Sequence, residues 1–161
     1  MPEVRGFLRR RLVDPLLALL RQGVDPSRLA LGVALAFVIG VVPVLGVSTA
    51  LCAAVALAFG LNLPAMQVVN YLLTPVQLIL IIPWLRFGEL LANAPRFPIT
   101  LESGLALLSQ GVVDAVVVLG TAILHATLGW IVVAPLLAFA LHRILVPVFR
   151  HMTPARPSET R

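Results

Sequence analysis

The chain has 161 residues, of which 60% are hydrophobic and 12% are charged, against roughly 25% charged residues in soluble globular proteins. Its formal net charge is +5, all of its cationic residues are arginines, and its single cysteine, Cys52, excludes an internal disulfide and a multi-cysteine metal site. This composition predicts one integral membrane domain rather than a soluble enzyme or a nucleic-acid-binding protein.

Residues 1–25 place arginines among apolar side chains. A leucine-rich stretch follows the arginines, but it is too short to span a bilayer and carries no signal-peptidase site. The segment therefore predicts a basic amphipathic helix that lies on the membrane surface. Its candidate ligands for anionic lipid headgroups are Arg5, Arg9, Arg10 and Arg11.

Residues 26–150 form the predicted membrane domain, which begins with 57 consecutive uncharged residues, Leu29–Leu85. As one helix this stretch would measure about 85 Å, whereas the hydrocarbon core of a bilayer is about 30 Å thick. The chain must therefore turn back inside the membrane, and Pro43 and Gly46 mark the first turn. We predict a re-entrant helical hairpin over residues 29–60; one long tilted helix kinked at Pro43 is the alternative.

Small residues recur at every fourth position in both arms of this predicted hairpin. Such a stripe allows another helix to approach closely in lipid. The first stripe comprises Gly32, Ala36 and Gly40, and the second comprises Ala50, Ala54 and Ala58.

The next stretch, Pro64–Leu85, is long enough for one full crossing and carries a polar face. Four residues spaced by three, four and three positions share one side of this helix: Gln67, Asn70, Thr74 and Gln77. Polar groups are costly against lipid tails, and Pro75 frees a backbone carbonyl one turn earlier. The polar face is therefore predicted to look inward, towards the residues at the hairpin tip: Pro43, Gly46, Ser48 and Thr49.

A polar interval then separates the two long apolar blocks. Trp84 is predicted to belong to the interfacial aromatic belt. Arg86 and Glu89 are predicted to form an interfacial ion pair of small energetic value, with Arg86 as a headgroup-binding residue in the alternative interpretation. Residues 100–108 are predicted to form a short surface helix.

The second full crossing is predicted over Ala115–Leu141. His125 lies within it and is either part of a proton relay or a neutral imidazole that donates to a neighbouring carbonyl. Residues 151–161 are predicted to be a disordered tail. Six arginines precede the first apolar block, two lie in the middle interval and four follow the last block, so both termini are predicted to be cytoplasmic.

Several short motifs keep the residues, order and spacing of a known family. They are Pro26, Arg28–Gly32, Phe37–Gly40, Pro43, Leu45–Gly46, Thr49, Asn62–Ala65 and Asn70–Pro75. In these motifs the chain resembles a bacterial membrane-protein family catalogued as domain of unknown function twenty sixty-two. The resemblance implies a membrane protein with no established activity. Because some chains of this kind join the domain to a glycosyltransferase-type domain, it also hints at envelope or lipid-linked sugar chemistry.

The sequence thus predicts an all-α polytopic protein of the bacterial inner membrane, with a re-entrant hairpin and two full transmembrane spans. It contains no phosphate loop, metal-ligand spacing or catalytic constellation, so we expect no enzymatic activity, cofactor or metal. The leading hypothesis is passage of a lipid headgroup or small polar solute at the hairpin tip. The alternatives are a non-transporting scaffold for an envelope or glycolipid synthesis enzyme, and an intramembrane enzyme that would have to use His125. The expected partners are membrane lipids and further copies of the chain.

Overall fold

The computed structural model describes residues 25–98, 100 and 112–152. These residues form four α-helices and no strand: α1 (Pro26–Gly40), α2 (Val47–Phe59), α3 (Leu63–Leu91) and α4 (Val112–Met152). The all-α prediction is therefore confirmed. Three predicted segments lie largely outside the described residues: residues 1–24 of the surface helix with Arg5, Arg9, Arg10 and Arg11, residues 101–108 of the second surface helix, and residues 153–161 of the tail. The first two residues of that predicted disordered tail, His151 and Met152, are helical.

The first two helices form a helix–turn–helix unit. The Asp25 carboxylate caps α1 by accepting hydrogen bonds from the amides of Ser27 and Arg28, both at 3.3 Å. The chain reverses over residues 41–46, where Gly46 has a φ of 82°. At the opposite end, Arg28 Nη2 donates to the carbonyl oxygen of Phe59 at 3.1 Å. The two helices are thus antiparallel, and the alternative of a single kinked helix is wrong.

The two later helices continue through their prolines. The Asn62 side chain caps α3 by accepting from the amide of Ala65 at 2.9 Å, and the helix runs past Pro75 and Pro83. Helix α4 contains Pro135 and Pro147 and extends to Met152, well beyond the end at Leu141 predicted from charge. In apolar surroundings, neighbouring helices and local backbone adjustments can satisfy the groups that a proline frees, so a proline does not have to end such a helix.

Two of the four described helices, α3 and residues 116–152 of α4, are long and apolar enough to cross a membrane. Only 28% and 11% of their most apolar windows are buried, so most of this apolar surface faces outward. Ile79, Leu124, Leu136 and Phe139 are among the exposed side chains. A core helix of a soluble protein would be largely covered. The exposed apolar surface therefore supports association with a membrane.

Helix α1 occupies the centre of the bundle and packs against the other three helices. Gly32 lies beside Met66 and Gly40 beside Leu73, so α1 and α3 run in the same direction. Phe149 near the end of α4 packs in one cluster with Leu29 near the start of α1, so α4 is antiparallel to α1. The first small-residue stripe is therefore covered within the chain, whereas Ala50, Ala54 and Ala58 of the second are exposed.

The closest approach between α3 and α4 occurs at two glycines. A Cβ added to Gly88 would overlap with the backbone carbonyl of His125, and one added to Gly129 would lie 2.5 Å from the carbonyl oxygen of Trp84. Both contacts involve backbone, which has little freedom to move aside. At this crossing, α3 and α4 can therefore pack together only when these two positions carry no side chain.

We predict that Gly88→Ala lowers the stability of the folded protein by about 1–3 kcal/mol, because the added methyl group forces α3 and α4 apart. Gly120→Ala is the matched control, since nothing lies within 4 Å of a Cβ built at that helical position. The midpoint of thermal unfolding in detergent measures the stability of both variants. Equal midpoints for the two variants would contradict the tight crossing.

Candidate functional site

The turn between α1 and α2 begins inside the bundle, where Val41, Val42 and Pro43 are buried, and it leaves backbone carbonyls without helical partners. In a continuing helix the amide of Val42 would donate to Val38, but here it donates to the carbonyl of Ile39 at 3.1 Å. The last carbonyls of any helix lack intrahelical donors. A buried carbonyl without a donor costs about 1–3 kcal/mol, and water cannot satisfy it in lipid. The end of α1 therefore needs donors from other elements.

Side chains of α3 and α4 supply these donors. Trp130 Nε1 donates to the carbonyl of Val38 at 2.9 Å, and Trp84 Nε1 donates to that of Val41 at 2.9 Å. Gln77 Nε2 donates to the carbonyl of Val42 at 2.8 Å, with Val44 at 3.4 Å. The C-terminal end of α1 is thus capped by three side chains that lie far away in the sequence.

A second polar layer joins the start of α2 to α3. Gln67 Nε2 donates to the backbone carbonyl of Thr49 at 3.1 Å. Asn70 Nδ2 lies 3.3 Å from Thr49 Oγ1 and 3.4 Å from Gln67 Oε1. Asn70 is only 3% exposed, and its Oδ1 atom is buried without a hydrogen-bond donor. The layer therefore contains one unused acceptor.

The structure brings together most of the residues predicted for the hairpin-tip site. Thr49, Gln67 and Asn70 form the second layer and Gln77 belongs to the cap of α1, while Pro43 and Ser48 are buried nearby in the chain. Gly46 is exposed in the turn. Thr74, predicted to face inward, is exposed and takes no part in either layer.

His125 does not join the hairpin tip. Its backbone meets Gly88 at the crossing of α3 and α4, and its side chain lines a cavity together with Glu89. His125 therefore lies apart from the tip residues, because the last two turns of α3 extend past the turn of the hairpin and meet α4 there. Its role in a proton relay stays a prediction.

The two tryptophans belong to the hairpin tip, which the sequence analysis does not predict. The sequence predicts Trp84 at the membrane interface, yet its indole donates to the carbonyl of Val41. It predicts no role for Trp130, whose indole donates to the carbonyl of Val38. The sequence contains a signal that could have indicated the role of both tryptophans. An indole N–H in an apolar stretch needs an acceptor, and the broken end of α1 offers several.

Beyond the hairpin tip, Glu89 anchors the loop that follows α3. Its Oε2 atom lies 2.8 Å from Arg86 Nη1, and its Oε1 atom accepts from the amide of Phe97 at 2.7 Å. Arg86 Nη2 also donates to the carbonyl of Phe97 at 3.0 Å. Because Glu89 is 2% exposed and Arg86 is 34% exposed, the predicted ion pair exists but is half-buried rather than superficial. It connects α3 to the loop.

The family model described as "uncharacterized protein conserved in bacteria (DUF2062)" matches residues 9–156. The chain belongs to this family. The family resemblance drawn from the sequence motifs is thereby confirmed, and it assigns no activity. No curated protein and no solved structure matches the chain.

For this family member, the chemistry offered by the hairpin tip is hydrogen bonding without charge. The two polar layers consist of amide, hydroxyl and indole groups together with backbone carbonyls. Across the described ranges, no group of three His, Cys, Asp or Glu residues is placed to hold a metal ion. The tip can accept a hydrogen bond at Asn70 Oδ1. The side-chain donors of Gln67, Gln77, Trp84 and Trp130 are occupied by backbone carbonyls of the protein itself.

We predict that Gln77→Leu destabilises the protein by about 1–3 kcal/mol, because it leaves the buried carbonyl of Val42 without its 2.8 Å donor. Thr74→Val is the matched control, since Thr74 lies one turn away on the same helix and is exposed. Thermal unfolding midpoints of the purified variants in one detergent give the comparison. If the control loses as much stability as Gln77→Leu, the capping role is refuted.

Proposed function

We propose that this protein is an integral protein of the bacterial inner membrane in which α3 and α4 cross fully and the α1–α2 hairpin re-enters from the cytoplasmic side. Helix α1 measures about 22 Å and α3 about 43 Å. Both start at the same end of the bundle, and Gln77 near the middle of α3 contacts the turn of the hairpin. The turn thus lies partway along α3, which favours a hairpin that enters and leaves on one side.

Three single-cysteine variants in a Cys52→Ala background test this topology: Ser27→Cys, Leu45→Cys and Ala58→Cys. We expect a membrane-impermeant maleimide to label the cysteines at 27 and 58 from the cytoplasmic side only. The cysteine at 45, at the tip, should remain unlabelled from either side of intact membranes. Labelling of position 45 from the periplasmic side would mean that α1 and α2 cross completely, and the re-entrant arrangement would be rejected.

Within this arrangement we propose passage of a lipid headgroup or a small polar solute at the hairpin tip. The observation that carries the proposal is the buried, unpaired Oδ1 atom of Asn70, placed in a polar layer between α2 and α3. Unpaired buried acceptors are rare because they cost free energy. This one would accept a hydrogen bond from a hydroxyl or amine group of the transported molecule. No charged side chain takes part in the layer's hydrogen bonds, which favours an uncharged donor.

The second candidate function is a non-transporting scaffold for an envelope or glycolipid synthesis enzyme, and one observation favours it. Four side-chain donors of the tip already bind backbone carbonyls of the same chain: those of Gln67, Gln77, Trp84 and Trp130. Such a tip holds the fold together and leaves the exposed apolar sides of the helices for a partner helix or a second copy. Neither role requires the chain to catalyse a reaction.

Flux measurements on Asn70→Leu separate the two functions. Passage at the tip predicts that this nearly isosteric change lowers transport of a fluorescent lipid or polar solute into liposomes by roughly tenfold, the equivalent of about one hydrogen bond. Thr74→Val, exposed on the same helix, should transport like the unmodified protein. Equal flux in Asn70→Leu and the unmodified protein, with both correctly inserted, would exclude passage at this site and leave the scaffold.

A further inference from the structure

An apolar cavity of about 230 Å³ lies between the last turns of α3 and the first half of α4. Its wall includes Ile81 and Leu85 from α3 and Leu119 and Ile123 from α4, and Pro43 of the hairpin turn closes one side. Almost all of this lining is hydrocarbon. This apolar lining suits an acyl chain rather than a polar solute.

The polar end of this groove is formed by two further cavities. Phe97 and Ala122 line both the apolar cavity and a neighbouring one of about 310 Å³, which also contacts Glu89 and His125. Glu89 and Arg96 in turn line a third cavity of about 600 Å³. The three cavities are therefore adjacent, and we refer to them together as the groove: it is apolar along the helices and charged at the loop after α3.

Among the described residues at the polar end, one cation is left without a partner. Glu89 forms an ion pair with Arg86 at 2.8 Å and accepts a hydrogen bond from the amide of Phe97 at 2.7 Å. Arg96 is exposed and lines two of the cavities, and no hydrogen bond or ion pair joins its guanidinium to another described residue. Guanidinium groups bind phosphate through paired hydrogen bonds. An anionic group at this end would therefore meet Arg96 first.

We infer that the groove between α3 and α4 binds a phospholipid, with an acyl chain in the apolar cavity and the phosphate on Arg96. A free phosphate would use the cation but leave the hydrocarbon cavity unfilled, whereas a phospholipid matches both parts of the groove. This site is separate from the polar layer around Asn70. It therefore holds whether or not the hairpin tip passes a solute.

Native mass spectrometry of the full chain in detergent tests the site with phosphatidylglycerol as the probe. We expect one retained phosphatidylglycerol and little retention of diacylglycerol with the same acyl chains. Arg96→Gln should weaken phosphatidylglycerol binding about fivefold, the usual effect of one arginine beside an anionic lipid. Arg150→Gln removes the same charge from an exposed position near the other end of α4 and should bind like the unmodified protein.

A variant of the apolar wall tests the acyl-chain part separately. Ala122→Phe should fill the junction between the two smaller cavities and reduce phosphatidylglycerol retention without changing any charge. The thermal unfolding midpoint shows whether Ala122→Phe folds. If this variant does not fold, the inference is tested by Arg96→Gln and by the comparison with diacylglycerol. Three results would overturn the inference. The protein could retain diacylglycerol as well as phosphatidylglycerol, or Arg96→Gln and Arg150→Gln could lose phosphatidylglycerol binding to the same extent. Inorganic phosphate at equal concentration could also displace phosphatidylglycerol.

Discussion

The arrangement of this protein depends on satisfying the backbone carbonyls at the end of α1. That helix ends among apolar side chains, where no water is present to donate a hydrogen bond to an unpaired carbonyl. Trp130, Trp84 and Gln77 meet this need from two other helices. The same three hydrogen bonds hold the turn of the hairpin against α3 and α4, so one requirement determines both the local ending of α1 and the assembly of the bundle.

Close backbone contact provides the second constraint. The reach of the two indoles to α1 requires α3 and α4 to lie near each other, and Gly88 and Gly129 allow this at their crossing. Along α1 itself, Gly32 and Gly40 admit Met66 and Leu73 of α3. Without a strong hydrophobic driving force between helices in lipid, such small-residue contacts and interhelical hydrogen bonds supply much of the packing energy.

Much of this fold could be predicted from the sequence, because its strongest signals are physical limits. The length of the uncharged run required a reversal, and Pro43 with Gly46 gave its place. The spacing of Gln67, Asn70 and Gln77 gave the inward face. The ends of the helices were less predictable: charge at His142 and Arg143 suggested that α4 stops there, yet nothing in the local backbone ends it before Met152. The roles of Trp84, Trp130 and His125 depend on which helices meet, and spacing along one helix carries no such information.

The cap on Val38 also has a consequence for biosynthesis. Its donor, Trp130, is made 92 residues later, which at ordinary rates of translation is a delay of roughly 5–20 s. During that interval α1 has an incomplete end. The hairpin is therefore synthesised well before its last hydrogen-bond donor, and it reaches its final pairing only when α4 has emerged from the ribosome.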